Sequence, residues 1–202
     1  VHAVTETGAA AAVGPVDPHF ETLPPSWLPA TAYRAALVPR GHFVDDGFSG
    51  NCILDLAIIT AAGLRFDERF NETGGEDTAF FRGLQAAGHR IAWAGRAVVH
   101  ELVPPGRMKA GWLFSRWMRT GAIEAVITRS ERPGLRSLLI CLGKGAVRLG
   151  AGSVRVGASL LVDGWRRPDR VVASLYTFCR GAGYVTGAFG RAPRRYGRAT
   201  PT

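Results

Sequence analysis

At 202 residues, 47% of them apolar, the chain fits one domain, or one domain with an appendage, and can bury a sizeable core. Its formal charge of +9 is unevenly placed, since residues 1–128 hold 11 Lys and Arg against 13 Asp and Glu, whereas residues 129–202 hold 14 against 3. Three cysteines far apart, Cys52, Cys141 and Cys179, with no Cys-x-x-Cys, suggest neither a disulfide framework nor a zinc site, and a reducing, cytosolic side is the default expectation.

The basic tail seeks phosphate, of nucleic acid or of anionic lipid headgroups. No run reaches the roughly 18 uninterrupted apolar residues of a membrane-spanning helix, because Lys144, Arg148 and Arg155 cut the best candidate. No signal peptide opens the chain, and its start at Val1 rather than Met predicts that something upstream is absent.

In chain order, residues 1–16 read as a strand ending in the turn Val13-Gly14-Pro15-Val16. Pro18, Pro24, Pro25 and Pro29 then predict irregular, extended structure over 17–30, with Trp27 as its aromatic anchor. Ser49-Gly50-Asn51 precedes the apolar run from Cys52 to Ala62. That run predicts a short strand turning into a helix, with Asn51 or Asp55 as cap and Gly63 past the helix end.

The stretch Phe66 to Thr78, FDERFNETGGEDT, packs acidic side chains and a Gly-Gly pair directly before a helical run. Gly74 and Gly75 can take backbone angles closed to other residues, so a sharp turn there would present Glu76 and Asp77 at the mouth of a helix. Helix capping by acidic residues is the plainer reading of the same residues. Phe66 and Phe70 serve as anchors for the charged loop. From Asp77, Phe80, Phe81, Leu84 and Ala87 follow helical spacing up to Gly88. Ile91 to Ala94 and Ala97 to Val99 read as short strands around Gly95, the second ending near His100 and Glu101. Pro104-Pro105-Gly106 forces a loop, and Lys109 to Gly121 predicts a helix carrying Trp112, Arg116 and Trp117.

Past Arg129, apolar residues and arginines alternate. Leu135, Leu138, Leu139, Leu142, Ala146 and Leu149 share one helical face, and Arg136, Lys144 and Arg148 the other. This is the pattern of a helix lying in a membrane surface, and equally of one packed on its own domain. Residues 154–165 and 171–189 repeat it less cleanly, with Trp165, Tyr176, Phe178, Tyr184 and Phe189 available for an interface. A basic, disordered tail over 191–202 is expected.

Taken in order, Gly14-Pro15-Val16, Pro24-Pro25-Ser26-Trp27, Ser49-Gly50-Asn51, Phe66 to Phe70, Gly74-Gly75-Glu76-Asp77-Thr78, Gly88 and Val98-Val99-His100-Glu101 resemble the C-terminal half of a family 2 glycosyltransferase. The likeness is greatest to bacterial exopolysaccharide enzymes of the succinoglycan type and covers roughly residues 1–125. It implies an α/β fold, an incomplete GT-A-type (nucleotide-diphospho-sugar transferase) domain followed by amphipathic helices. Its parts would be an acceptor-side half over 1–128, a basic amphipathic helical membrane-surface region over 129–190, and the tail.

The resemblance also implies the chemistry. Asp77 matches the family's general base, which takes the proton of an acceptor hydroxyl as that hydroxyl attacks the anomeric carbon with inversion. Glu76 would orient the acceptor or the base, and Asn51 with the Gly74-Gly75 backbone would line the acceptor side. His100 matches a histidine that completes a metal site in some relatives, against the plainer reading of a surface or hydrogen-bonded histidine. Arg116-Trp117 resembles the acceptor-channel pair of processive relatives, but Leu113 stands where those carry Gln.

The implied partners are a nucleotide-sugar donor, a saccharide or lipid-linked acceptor and an anionic membrane surface at the cytoplasmic face of the inner membrane. The implied cofactor is Mg²⁺ or Mn²⁺ in the complete enzyme. No Asp-x-Asp, the family's metal motif, occurs in the 202 residues, so the donor-binding half is expected to be missing and the chain alone to be inactive. A non-catalytic membrane-surface module is the rival reading. Nucleic-acid binding rests on charge alone, and Leu and Val between the arginines suit a bilayer better.

Overall fold

Small side chains set the centre of the first sheet. In the computed structural model, which describes residues 1–29, 31–34 and 37–191, Ala9 to Ala12 are each 2% exposed or less. The elements in chain order are helix α1 (His2–Thr7), strands β1 (Ala11–Val13), β2 (Val16–Phe20), β3 (Phe43–Val44) and β4 (Cys52–Leu54), helices α2 (Leu56–Ala61) and α3 (Glu76–Ala86), strands β5 (Ile91–Trp93) and β6 (Val99–Val103), and helices α4 (Ala110–Glu131), α5 (Leu135–Val162) and α6 (Pro168–Ala188). Two units result: Val1–His19, Tyr33–Asn71 and Gly75–Leu102 form one, and Phe20–Ala32, Glu72–Gly74 and Val103–Thr202 the other.

In the first unit a mixed sheet runs β3-β5-β1-β4, with β1 parallel to β5 and antiparallel to β4, and β2 and β6 make a separate pair. Side chains of a strand alternate between faces, so β1 serves two layers. Ala11 and Val13 join Ile59 of α2 and Phe80, Phe81 and Leu84 of α3 in one core. Ala12 faces the other way, onto Ala92, with Ala3 and Val4 of α1 packed there. Only small residues on that face leave room for a helix so close to the sheet.

Local signals in the first unit translate well. Asp55 caps α2 by accepting from the N–H groups of Ala57 and Ile58 at 3.0 and 3.2 Å. Gly63 and Gly88 follow their helices at φ 64° and 85°. Phe70 is buried, and Phe66, although half open to solvent, stacks on Phe80 with ring centroids 4.5 Å apart.

Three expectations need correction. Residues 2–7 form a helix, not a strand, because Val1 and Val4 stand one helical turn apart and Val4 packs on the sheet. Residues 17–20 belong to β2 despite Pro18, on a sheet of two strands where every strand is an edge and a missing N–H is tolerated. His100 and Glu101 lie inside β6 rather than at a strand end, since the connection after β5 is longer than the turn at Gly95 suggested.

The second unit is dominated by three long helices, with α6 packed against both α4 and α5. α4 continues ten residues beyond Gly121, and the expected boundary at 128/129 falls inside it. α5 runs unbroken for 28 residues and, contrary to the sequence expectation, is long and apolar enough to cross a membrane by length and composition. The cationic residues interrupt the apolar run without ending the helix. Trp27 is half-buried beside a buried Leu28. Of the expected disordered tail only Arg191 lies within the described residues.

Glycines let the helices touch backbone to backbone. A Cβ on Gly183 would stand 2.0 Å from the Met118 carbonyl oxygen, and one on Gly121 2.1 Å from that of Arg180. Gly183→Ala gains about 1 kcal/mol of helix propensity, but an overpacked contact against rigid backbone costs about 1–3 kcal/mol or more. We expect a net loss of about 1–2 kcal/mol in denaturant unfolding; equal or higher stability would refute the contact.

Candidate functional site

The Gly-Gly turn has the conformation its composition demands. Gly74 and Gly75 both take positive φ, 76° and 102°, and Gly75 is the residue before the first turn of α3. No side chain caps this helix from Gly75, and Glu76 and Asp77 fill its first turn. The Asp77 Oδ1 accepts from the N–H of Thr78 at 2.7 Å, a local bond within the first turn of the helix. Glu76 is less easily explained as a cap: its Oε2 is buried and has no hydrogen-bond partner among the described residues.

Register places this helix start relative to the sheet. Val13 at the end of β1 pairs with Trp93 at the end of the parallel strand β5 and with Cys52 at the start of the antiparallel β4. All three therefore share the edge formed by the carboxyl ends of the parallel strands, where open α/β sheets bind ligands. A cavity of about 610 Å³ opens there, lined among others by Gly14, Asn51, Cys52, Trp93, Arg96 and His42. Asp77 does not line it, but its charge reaches Cys52.

Burial, and after it the Asp77 carboxylate, pushes the Cys52 thiol above its ordinary value. Removing the charge in Asp77→Asn is thus expected to raise the thiolate fraction at pH 8 and speed alkylation of Cys52 by iodoacetamide; an unchanged rate would show that the two groups are not near one another. Cys141 and Cys179, held above the usual thiol range by burial, are expected to label more slowly than free cysteine.

The other expected site residues are distributed as follows. The Asn51 Nδ2 donates to the carbonyls of Pro15 at 2.9 Å and Ala97 at 2.6 Å, tying the end of β1 to the loop after β5. A Cβ on Gly14 would lie 2.7 Å from that nitrogen, so glycine is needed for the tie. Asn51 lines the cavity while its amide holds backbone. His100 is exposed on β6. Among the described residues no group of three or more His, Cys, Asp and Glu could hold a metal ion, so the residues present do not fit the divalent cation that the family resemblance implies.

Arg116 and Trp117 belong to the second unit. Trp117 is 4% exposed, with its ring against Phe114 and edge-on to Tyr176 at 5.8 and 5.5 Å. Its faces are taken up by packing. Trp112, half-exposed and flanked by the Arg107 and Arg116 guanidiniums at 5.9 and 5.4 Å, is the tryptophan that keeps surface. Cys52, Trp93, Arg96 and His42 carried no motif. Only strand register, which no local pattern encodes, brings them to one edge.

No protein-family model and no solved structure matches the chain. Among curated proteins it is 35% identical over 132 residues to the succinoglycan biosynthesis protein ExoM of Rhizobium meliloti (strain 1021). The match takes in 64% of this chain and 42% of that protein, so the chain spans less than half of its relative's length. The chain is therefore a distant homologue of a succinoglycan biosynthesis protein, the type that its motifs resemble.

Proposed function

We propose that the chain supplies the acceptor side of an inverting glycosyltransferase with a GT-A-type fold, acting in the synthesis of a bacterial cell-surface polysaccharide. The observation that carries this reading is the acidic pair at the mouth of α3: a Gly-Gly turn is followed by Glu76 and Asp77 in the first turn of the helix, with one buried oxygen of Glu76 unpaired among the described residues. The relation to a succinoglycan biosynthesis protein supports it.

In this mechanism the Asp77 carboxylate accepts the proton of an acceptor hydroxyl as that oxygen forms a bond to the anomeric carbon. The bond from that carbon to the nucleoside diphosphate breaks on the opposite face, and its electron pair leaves with the diphosphate. Configuration inverts, so an α-linked donor yields a β-glycoside. Glu76 orients the acceptor or the base. Any divalent ion would supply charge neutralisation at the diphosphate, from residues other than the described ones.

The test uses the full reading frame that contains this chain. The protein is supplied with nucleotide sugars and membrane extract as the source of acceptor, and the anomeric configuration of the product is read by NMR. Transfer with inversion is expected; hydrolysis only, or retention, would refute the proposal. A second reading, a non-catalytic membrane-surface module derived from a transferase, is favoured by the apolar outward face of α5. It predicts no transfer from any donor.

A further inference from the structure

We infer that the outward face of α5 docks in the plane of an anionic lipid bilayer, with α6 packed behind it. The inference does not depend on sugar transfer. α5 buries Ser137, Cys141, Gly145 and Gly152, which at 100° per residue fall on one narrow side. The opposite side carries Leu139, Val147, Val154 and Leu161, which are 59%, 71%, 72% and 89% exposed. The arrangement inverts that of a helix packed on its own domain, where large side chains point inward and small or polar ones outward. Here glycine and cysteine make the centre of the seam, Leu138 and Leu142 pack beside it, and Leu139, Val147, Val154 and Leu161 are left in solvent.

From Leu139 to Leu161 the apolar stripe runs about 33 Å at 1.5 Å per residue, with exposed Arg136 on the same side one turn before it. A protein partner would need a matching groove of that length, whereas a bilayer offers a plane. Charge supports lipid as the occupant. Residues 132–191 hold ten Arg and Lys and two acids. Both acids are already engaged by arginine, Asp163 by Arg170 at 3.0 Å and Asp169 by Arg167 at 3.5 Å. Exposed Lys144 lies on the flank of α5 between seam and stripe and exposed Arg155 at the edge of the seam, where long side chains reach headgroups while the stripe enters the acyl boundary.

The same residues decide between lying on a membrane and crossing it. Lys144, Arg148 and Arg155 sit in the middle of α5, and each would cost about 2.5–3.5 kcal/mol at the centre of a bilayer. Three such costs outweigh the modest hydropathy of the helix. Parallel to the surface they cost little.

The test is co-sedimentation of the purified chain with vesicles of phosphatidylcholine alone and of phosphatidylcholine with about a third phosphatidylglycerol. Binding is expected to the anionic vesicles only, to weaken as salt rises, and to fall at least tenfold in Val147→Asp/Val154→Asp. Both positions are largely exposed, so circular dichroism should be unchanged; if that variant misfolds, Val154→Cys carrying an environment-sensitive fluorophore keeps the test open and should shift blue on anionic vesicles. Equal binding of the folded double variant, absence of any blue shift, or a change in oligomeric state in place of vesicle binding would overturn the inference. Resistance of the vesicle-bound chain to alkaline extraction would overturn it too, in favour of a spanning helix.

Discussion

Asp77→Asn is expected to lower the rate of sugar transfer by the full reading frame about 10²–10⁴-fold, the usual contribution of a positioned general base. The substitution keeps shape and keeps an oxygen to accept the Thr78 N–H, so the first turn of α3 retains its local bond. What the amide loses is the capacity to take a proton. The loss should therefore appear in kcat, with KM and the thermal midpoint little moved. Glu76→Gln, by contrast, should act mainly on KM if the buried oxygen orients the acceptor. A full-rate Asp77→Asn enzyme would remove the base assignment and leave capping as the reason for the acid. A variant that unfolds would say the same of its structural role.

The second large effect is expected far along the chain. Glu124 on α4 accepts from the Arg180 guanidinium with one carboxylate oxygen and from the Tyr184 hydroxyl with the other, both donors on α6. Arg180 further donates to the Tyr176 hydroxyl at 3.1 Å, and Arg148 of α5 lies over the Tyr184 ring at 4.6 Å. Glu124 and Arg180 are 16% and 22% exposed, so removing one leaves the other charged and largely out of water. Breaking a buried pair costs about 3–5 kcal/mol; with the residual exposure, Glu124→Ala should cost about 3 kcal/mol, a drop of roughly 10 °C in Tm.

The same network has a pH signature. Burial, then the Glu124 carboxylate, pushes the Tyr184 hydroxyl above its ordinary 10.0. A folded pKa above the unfolded one means that this stabilisation is complete below pH 10 and declines as pH rises further. In an ultraviolet titration Tyr184 should ionise above the ordinary tyrosine value, and Glu124→Ala should bring it down. A melting temperature unchanged by Glu124→Ala would mean that the helices hold without the cluster.

Much of the short-range chemistry was legible. Asp55 capping α2, the positive φ at Gly74 and Gly75, the Phe80-Phe81-Leu84 stripe and Gly88 all follow from preferences that act over a few residues, and each stands where local pattern put it. The same preferences fixed the acidic pair at a helix start, and the motif order was enough to suggest the family relation. What local pattern lacks is a partner. The register Val13 to Trp93 and Cys52, which gathers the cavity residues at one edge, depends on pairings between residues 80 and 39 positions apart that leave no local trace. Whether Trp117 meets a sugar or Tyr176 depends on which helix arrives beside it. Helical periodicity likewise gave α5 two faces, but which face turns outward was decided by packing: glycines at the contact allow α6 so close, so small side chains went to the seam and Leu139, Val147, Val154 and Leu161 to solvent.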